Sequence, residues 1–318
     1  MKTIHVLTAI LILPFWAACT KEEHPVASED LGIPAMFAPK ENEDARVKQI
    51  YNDYGLWVRM DFTDPKEITN GILYNDVNNR FGATMIDDGD RESAIIYAQT
   101  LMSNVSEEFS KAYFPLDFFF VKTYNGSWWA ADYQRIGRSR FVLCWPNQMN
   151  GAVEITDASK HYYQDSVVTR VVWDNFGAMI AARFDAPLEE FAKAGRAYDK
   201  GEAFDNIRDQ YDADKDEEKY NAAITELCQT GGFITASGAA SFENDFAAWL
   251  RLLVMESYEN IKRDYLDNSA PRLAKYRILI DFFKSYNWDI QAAGNKYRAE
   301  YDAYKATLPP VPDEGEEE

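Results

Sequence analysis

Histidine is the scarcest of the residues in this chain that can do chemistry. The 318 residues include three histidines. His5 lies in an apolar N-terminal run and His24 in the polar segment after it, so His161 is the only histidine in the predicted folded body. Any site that needs two imidazoles from one chain is therefore excluded. A catalytic serine or cysteine would have only this one histidine as its general base. The sequence also contains no G-x-S-x-G elbow, P-loop or dinucleotide-binding glycine pattern.

Carboxylates are plentiful, but their spacing does not complete a cation-binding loop. Residues 212–217 (DADKDE) begin like an EF-hand loop, yet Glu217 occupies the turn position that needs glycine and Ala223 replaces the final glutamate. We predict instead an acidic loop that caps the next helix. Residues 87–90 (DDGD) are likewise predicted to form a turn and a helix N-cap.

Two aromatic pairs are candidate ligand contacts. Trp128 and Trp129 follow a turn in the segment YNGSWW, where one ring could stack on a sugar, and Tyr162 and Tyr163 form a second pair. The alternative for each pair is packing in the core, which is where most aromatic side chains of an apolar-rich protein lie.

The N-terminus has the features of a bacterial lipoprotein signal. Residues 4–18 form an apolar run that is shorter than the ~20 residues a membrane-spanning helix needs. The run ends in Ala17-Ala18-Cys19, which resembles a lipobox, so residues 1–18 are predicted to be a signal peptide and Cys19 the lipidated residue. The following Lys21-Glu22-Glu23 resembles an export tag of surface lipoproteins. We therefore predict an outer-membrane protein that faces the cell exterior.

The charge of the chain limits its partners. There are 33 Lys and Arg against 52 Asp and Glu, which gives a net charge of −19. Phosphate binding needs clustered basic side chains, so we predict no nucleic-acid partner. An anionic body gains nothing from anionic lipid headgroups, so membrane attachment is predicted to depend on the lipid on Cys19.

Cys144 and Cys228 leave two interpretations open. Cys144 lies near the end of an apolar run, and Cys228 ends a stretch with helical spacing. In an oxidising compartment the two could form a disulfide, or each could be a buried free thiol. The sequence does not supply the distance that would decide between them.

Hydrophobic spacing predicts an α+β fold, with a small mixed sheet in the N-terminal half and a helical C-terminal half. Apolar runs at residues 56–62, 71–74, 116–121 and 140–145 are typical of strands. Helical spacing occurs at residues 91–113, 167–184, 187–198, 217–228, 242–265, 270–286 and 290–304. We predict one folded domain at 43–305, between a lipidated tether at 19–42 and a disordered acidic tail at 306–318.

Three stretches of the sequence resemble a known family. Residues 171–180 (VVWDNFGAMI) are similar to a zinc-binding helix, residues 232–247 to a glycine-led loop with a second acidic helix, and residues 273–290 to a lysine-bearing closing helix. On these residues the chain resembles the substrate-import-associated zinc metallohydrolase lipoproteins, which are gluzincin-like metallopeptidases. The resemblance covers most of residues 45–305. It implies a zincin-like fold and an association with an outer-membrane nutrient importer.

The resemblance also implies that the zinc chemistry is lost. In an HExxH helix, two imidazoles bind Zn²⁺ while the glutamate activates the bound water. The corresponding positions here hold Asp174, Asn175 and Ala178. In the second acidic helix, Asn244 stands where the metal-binding carboxylate is expected, with Asp245 beside it. Asparagine cannot act as a general base and alanine has no ligand atom, so we predict no catalytic residue, no bound zinc and no other cofactor.

Two classes of function follow from this loss. The first is a pseudoenzyme, a non-catalytic binding or accessory component of nutrient uptake whose cleft between the two motif helices takes a glycan or a peptide. That cleft must not be filled by Trp173, Phe176 and Met179. A purely structural partner of the importer differs only in having no small ligand.

The alternative is an active metallohydrolase or peptidase with a rearranged metal site. Asp174, Asp245, Glu243 and His161 would then form an oxygen-rich centre, which suits Ca²⁺ or Mg²⁺ better than Zn²⁺. The simpler interpretation is that Asp174 hydrogen-bonds a neighbouring helix while the other three face solvent, with His161 on the surface at a helix entry.

Overall fold

In the residues that the structure describes, five strands form one mixed sheet in the N-terminal half. The computed structural model describes residues 38–69, 82–125, 130–146, 157–184, 188–195 and 198–309. The strands are β1 (Trp57–Arg59), β2 (Gly82–Met85), β3 (Asp117–Asn125), β4 (Tyr133–Ile136) and β5 (Arg140–Cys144). Their order is β1-β3-β5-β4, and β2 also pairs with β3. The β1–β3 and β3–β5 pairs are parallel, whereas β2 and β4 pair antiparallel.

Both faces of the central strands are buried, which explains their continuous apolar runs. Phe118 and Phe120 of β3 point into the main core against the helices. Their neighbours Phe119 and Val121 point to the opposite face, where they form a smaller cluster with Ile68. A parallel strand that is covered on both sides needs apolar residues at consecutive positions, so apolar and polar residues do not alternate along it.

The remaining described residues are mostly helical. The helices are α1 (Ala45–Tyr54), α2 (Lys66–Thr69), α3 (Arg91–Met102), α4 (Glu107–Tyr113), α5 (His161–Gln164), α6 (Ser166–Ala181), α7 (Glu189–Lys193), α8 (Glu202–Asp214), α9 (Glu217–Gly231), α10 (Phe242–Met255), α11 (Tyr258–Ile261), α12 (Ala270–Lys284) and α13 (Ile290–Lys305). Several helices begin at a residue whose short side chain accepts a hydrogen bond from a backbone N–H group of the first turn. Examples are Asp216 at α9 and Ser241 at α10. None of these helices has the length and apolarity needed to cross a membrane.

The predicted α+β fold is confirmed, with its small mixed sheet first and its helical half second. Residues 212–217 form the end of α8 and the cap of α9, as predicted for an acidic loop, because Asp216 accepts the backbone N–H of Lys219. The 3₁₀ turn Asp88–Asp90 likewise precedes α3, although the Asp90 side chain makes no capping hydrogen bond. The described residues from Pro39 onward belong to one compact unit.

Several predicted boundaries are wrong, each for a local reason. The helix predicted at 91–113 is two helices, because Ser106 caps α4. The helix predicted at 242–265 ends at Met255, and Ser257 caps a new one. Helix α8 was not predicted. The strand expected at 71–74, the signal peptide and most of the tether and tail lie outside the described residues.

Candidate functional site

Helix α6 carries the first motif, and its buried face decides where the motif side chains lie. The Asp165 side chain caps the helix by accepting the backbone N–H of Val168. The apolar stripe of α6 then turns into the core, with Val172, Trp173, Phe176, Met179 and Ile180 buried. The three motif positions fall on the remaining face and are half-buried: Asp174, Asn175 and Ala178.

Asp174 is ion-paired across the helix interface. Its Oδ1 accepts a hydrogen bond from the Arg251 Nε of α10 at 2.7 Å. The Asp174 side chain is 43% exposed and that of Arg251 is 22% exposed. Burial raises the pKa of the Asp174 carboxyl above its ordinary value, and the Arg251 guanidinium opposes that rise. The expected hydrogen bond from Asp174 to a neighbouring helix is therefore present, and its partner is a fixed cation.

The other two motif positions carry no metal-binding or basic group. The Asn175 Nδ2 donates to the carbonyl oxygen of Val171 in the same helix at 2.8 Å. Ala178 has only a methyl group. Neither an imidazole nor a free carboxylate therefore stands beside Asp174 on this face of α6.

Between α6 and α10 the helix backbones touch. A Cβ on Gly177 would lie 2.7 Å from the Ala247 Cα, so only glycine permits this approach. Trp173, Phe176 and Met179 are buried in the main core. The two motif helices therefore pack directly against each other at Gly177, where the predicted cleft between them is closed.

Asp245 is the centre of a second, fully buried polar group. Its Oδ2 accepts hydrogen bonds from the Lys275 Nζ at 2.6 Å and from the Tyr198 hydroxyl at 2.8 Å. The side chains of Asp245 and Lys275 are both 0% exposed. The rings of Phe191 and Phe233 lie 4.8 and 4.5 Å from the ammonium. The simpler interpretation of the sequence placed Asp245 in solvent. That placement is wrong, because the Asp245 side chain is fully buried.

The electrostatics of this pair reflect its burial. Burial raises the pKa of Asp245 to about 6, although the Lys275 ammonium opposes the rise. Burial also lowers the pKa of Lys275. The Asp245 Oδ1 finds no hydrogen-bond partner among the described residues. A carboxyl and an amine with no exposed surface cannot reach a substrate, so we assign this group a structural role.

The start of α10 places the other candidates of the second motif in solvent. Glu243 and Asn244 are both exposed. The Asn244 backbone N–H donates to the capping Ser241 hydroxyl, and its Nδ2 donates to the Ser237 carbonyl oxygen at 3.2 Å. Asn244 therefore stabilises the helix start.

His161 is buried, and its predicted surface position is wrong. The imidazole stacks on Trp145 with 4.3 Å between ring centroids, and Tyr97 meets it edge-on at 5.5 Å. Burial lowers the pKa of His161 to about 4, so the ring is neutral at physiological pH. Tyr162 and Tyr163 are also core residues, as the packing alternative held.

Zinc does not fit the residues that the family resemblance points to. Asp174 is held by Arg251, Asp245 by Lys275 and Tyr198, and His161 by aromatic stacking. Across residues 38–309, apart from the undescribed gaps, no three His, Cys, Asp or Glu side chains converge as metal ligands would. The oxygen-rich centre of the alternative hypothesis is not assembled among the described residues, because Asp174, Asp245 and His161 have separate partners and Glu243 is exposed.

The remaining predicted positions divide into two groups. Cys144 and Cys228 are both buried and are not joined to each other by a disulfide, which decides the question that the sequence left open. Cys19, Trp128 and Trp129 lie outside the described residues.

Sequence reasoning missed the cations that neutralise the motif carboxylates. Arg251 is the only charged residue between Ala247 and Met255 of α10. Lys275 lies on the face of α12 that packs against the core. For Arg251, a lone basic residue in an apolar stretch was the available signal, since such a charge needs an acidic partner. Helix α12 carries four basic residues, so Lys275 gave no such signal.

Comparisons with known proteins find a distant structural similarity and no match in sequence. No family model matches the chain, and no curated protein matches it. The chain is similar to a solved structure described as a "putative zinc-binding metallo-peptidase" from Bacteroides caccae, with 12% sequence identity and a TM-score of 0.44. The match covers 85% of this chain and 97% of that chain.

Proposed function

We propose that this chain is a non-catalytic, metallopeptidase-like lipoprotein, a binding or accessory component of glycan or peptide uptake at the outer membrane. The observation that carries the non-catalytic part is the ion pair between Asp174 and Arg251. A metal ion bound to Asp174 would have to displace the guanidinium or share the carboxylate with it, and two adjacent positive charges repel each other. Asn175 and Ala178 supply no second ligand and no base.

A peptidase assay tests this part of the proposal. The purified full chain is incubated with denatured casein in the presence of zinc, with and without a chelator. We expect no chelator-sensitive cleavage. The Arg251→Ala variant removes the competing guanidinium, and it is expected to stay inactive because Asn175 cannot deprotonate a water molecule. Chelator-sensitive cleavage that disappears in Asp174→Ala would overturn the proposal.

The location of the protein is proposed from the sequence of residues 1–42. The lipobox-like Ala17-Ala18-Cys19 supports lipidation of Cys19, and the acidic residues that follow support export to the cell exterior. Expression in a lipoprotein-processing bacterium with labelled palmitate is expected to label the wild-type chain and not Cys19→Ala. Added protease distinguishes the two faces of the outer membrane: digestion on intact cells supports exposure, and resistance there contradicts it.

A further inference from the structure

The hairpin of α8 and α9 exposes an aromatic pair near its tip. Helix α8 ends at Asp214 and α9 begins at Glu217, so the chain reverses within two residues. Leu227 and Cys228 anchor α9 in a small apolar cluster, but no residue within Glu202–Asp214 is buried. Tyr211 and Tyr220 contact each other beyond that cluster, with 5.0 Å between ring centroids.

Two grooves lie beside this tyrosine pair, and both tyrosines line each of them. The larger groove has a volume of about 420 Å³, and its polar lining includes Asp212 and Glu217. The smaller groove has a volume of about 250 Å³, with Ile207 and Ala223 among its lining residues. The larger groove therefore offers carboxylates beside aromatic rings, and the smaller one offers apolar surface.

The charge of the hairpin favours a basic occupant. Residues 202–220 carry eight acidic and three basic side chains. Lys215 shows how this surface holds an ammonium: its Nζ lies 5.1 Å from the centroid of the Tyr211 ring and 2.8 Å from the Asp212 carboxylate. A tyrosine face beside a carboxylate attracts a cation through the ring quadrupole and through direct pairing.

We propose that the tip of the α8–α9 hairpin docks a basic segment of a partner protein. A Lys or Arg side chain of that segment enters the larger groove against Tyr220 and Glu217, beside Arg208 and the Asp212–Lys215 ion pair, and an apolar side chain enters the smaller groove. Tyrosine is among the residues enriched in binding hot spots. None of the residues lining the grooves belongs to α6 or α10, so this inference holds whether or not the chain is a hydrolase.

The test uses the full chain and two fluorescently labelled peptides of equal length. One alternates lysine with leucine and alanine, and the other has glutamate in place of each lysine. We expect the lysine peptide to bind, with an affinity that falls as salt is raised, and the glutamate peptide not to bind. The double variant Asp212→Asn/Glu217→Gln is expected to weaken binding of the lysine peptide about tenfold.

A matched double variant, Glu259→Gln/Glu300→Gln, removes two exposed carboxylates outside the hairpin and is expected to bind as the wild type does. Circular dichroism on each variant shows that its helices are retained. Equal binding of the two peptides, or unchanged binding in Asp212→Asn/Glu217→Gln, would overturn the proposal. So would a neutral oligosaccharide that binds in place of the peptide and is lost in Tyr220→Ala.

Discussion

Replacing Lys275 by methionine should destabilise the protein, because it leaves the Asp245 carboxyl buried without its cation. Both side chains are 0% exposed, and the ion pair is 2.6 Å long. Removing one partner of a fully buried pair costs about 3–5 kcal/mol. For a folded body of this size, that loss lowers the melting temperature by roughly 6–20 °C.

The loss should depend on pH. The folded pKa of Asp245, about 6, lies above its ordinary value of 3.8. The stability contributed by its protonated form is therefore complete below pH about 4 and is lost as the pH rises through about 6. Without the Lys275 ammonium, this pKa rises further. The deficit of Lys275→Met relative to wild type should consequently be larger at pH 8 than at pH 5.

Urea unfolding followed by tryptophan fluorescence at pH 5 and pH 8 measures this deficit. The control is Lys284→Met, an exposed lysine on the same helix, which should change stability by less than about 0.5 kcal/mol. The double variant Asp245→Asn/Lys275→Met should recover part of the loss, because no buried charge remains. A deficit of Lys275→Met below about 1 kcal/mol at both pH values would refute the reasoning.

Two further predictions concern packing and thiol chemistry. Gly177→Ala should lower the free energy of unfolding by about 1–3 kcal/mol, because the new Cβ would lie 2.7 Å from the Ala247 Cα. The control is Gly89→Ala, which has open space around it and should change stability little. Equal melting temperatures for the two variants in a thermal melt would contradict the helix contact. Cys144 and Cys228 should react with a thiol reagent only after unfolding, since both are buried and burial raises the pKa of Cys144 to about 11. Rapid labelling of either in the native state would show that the burial is wrong.

The strands β1, β3 and β5 and most helices of the C-terminal half could be predicted, because their local signals agree with the tertiary structure. The strands β2 and β4 and the helix α1 were not predicted. The run of apolar residues in β3 is long because both of its faces are buried. Helix α8 was missed for the opposite reason, since none of its residues is buried and most of them are polar or charged. The break after Met255 depends on one N-cap, Ser257, inside a stretch in which the helical spacing of apolar residues otherwise continues.

The candidate site was predicted only where local chemistry sufficed. That Asn175 and Ala178 cannot replace the zinc-site residues of an HExxH helix is evident from their side-chain types alone. The partner of Asp245 was not, because Lys275 lies 30 residues away in the chain and reaches it through the packing of α12. His161 was placed on the surface because its neighbours in sequence are polar, whereas Trp145 from the end of β5 covers it.

The zinc content of the purified protein shows whether the positions of Asp174, Asn175 and Ala178 still bind a metal. The purified full chain is incubated with zinc, dialysed against metal-free buffer and examined by elemental analysis, with Asp174→Ala as the matched variant. We expect far less than one zinc per chain in both proteins, because Arg251 holds the Asp174 carboxylate. Near-stoichiometric zinc in the wild type that is lost in Asp174→Ala would contradict this expectation.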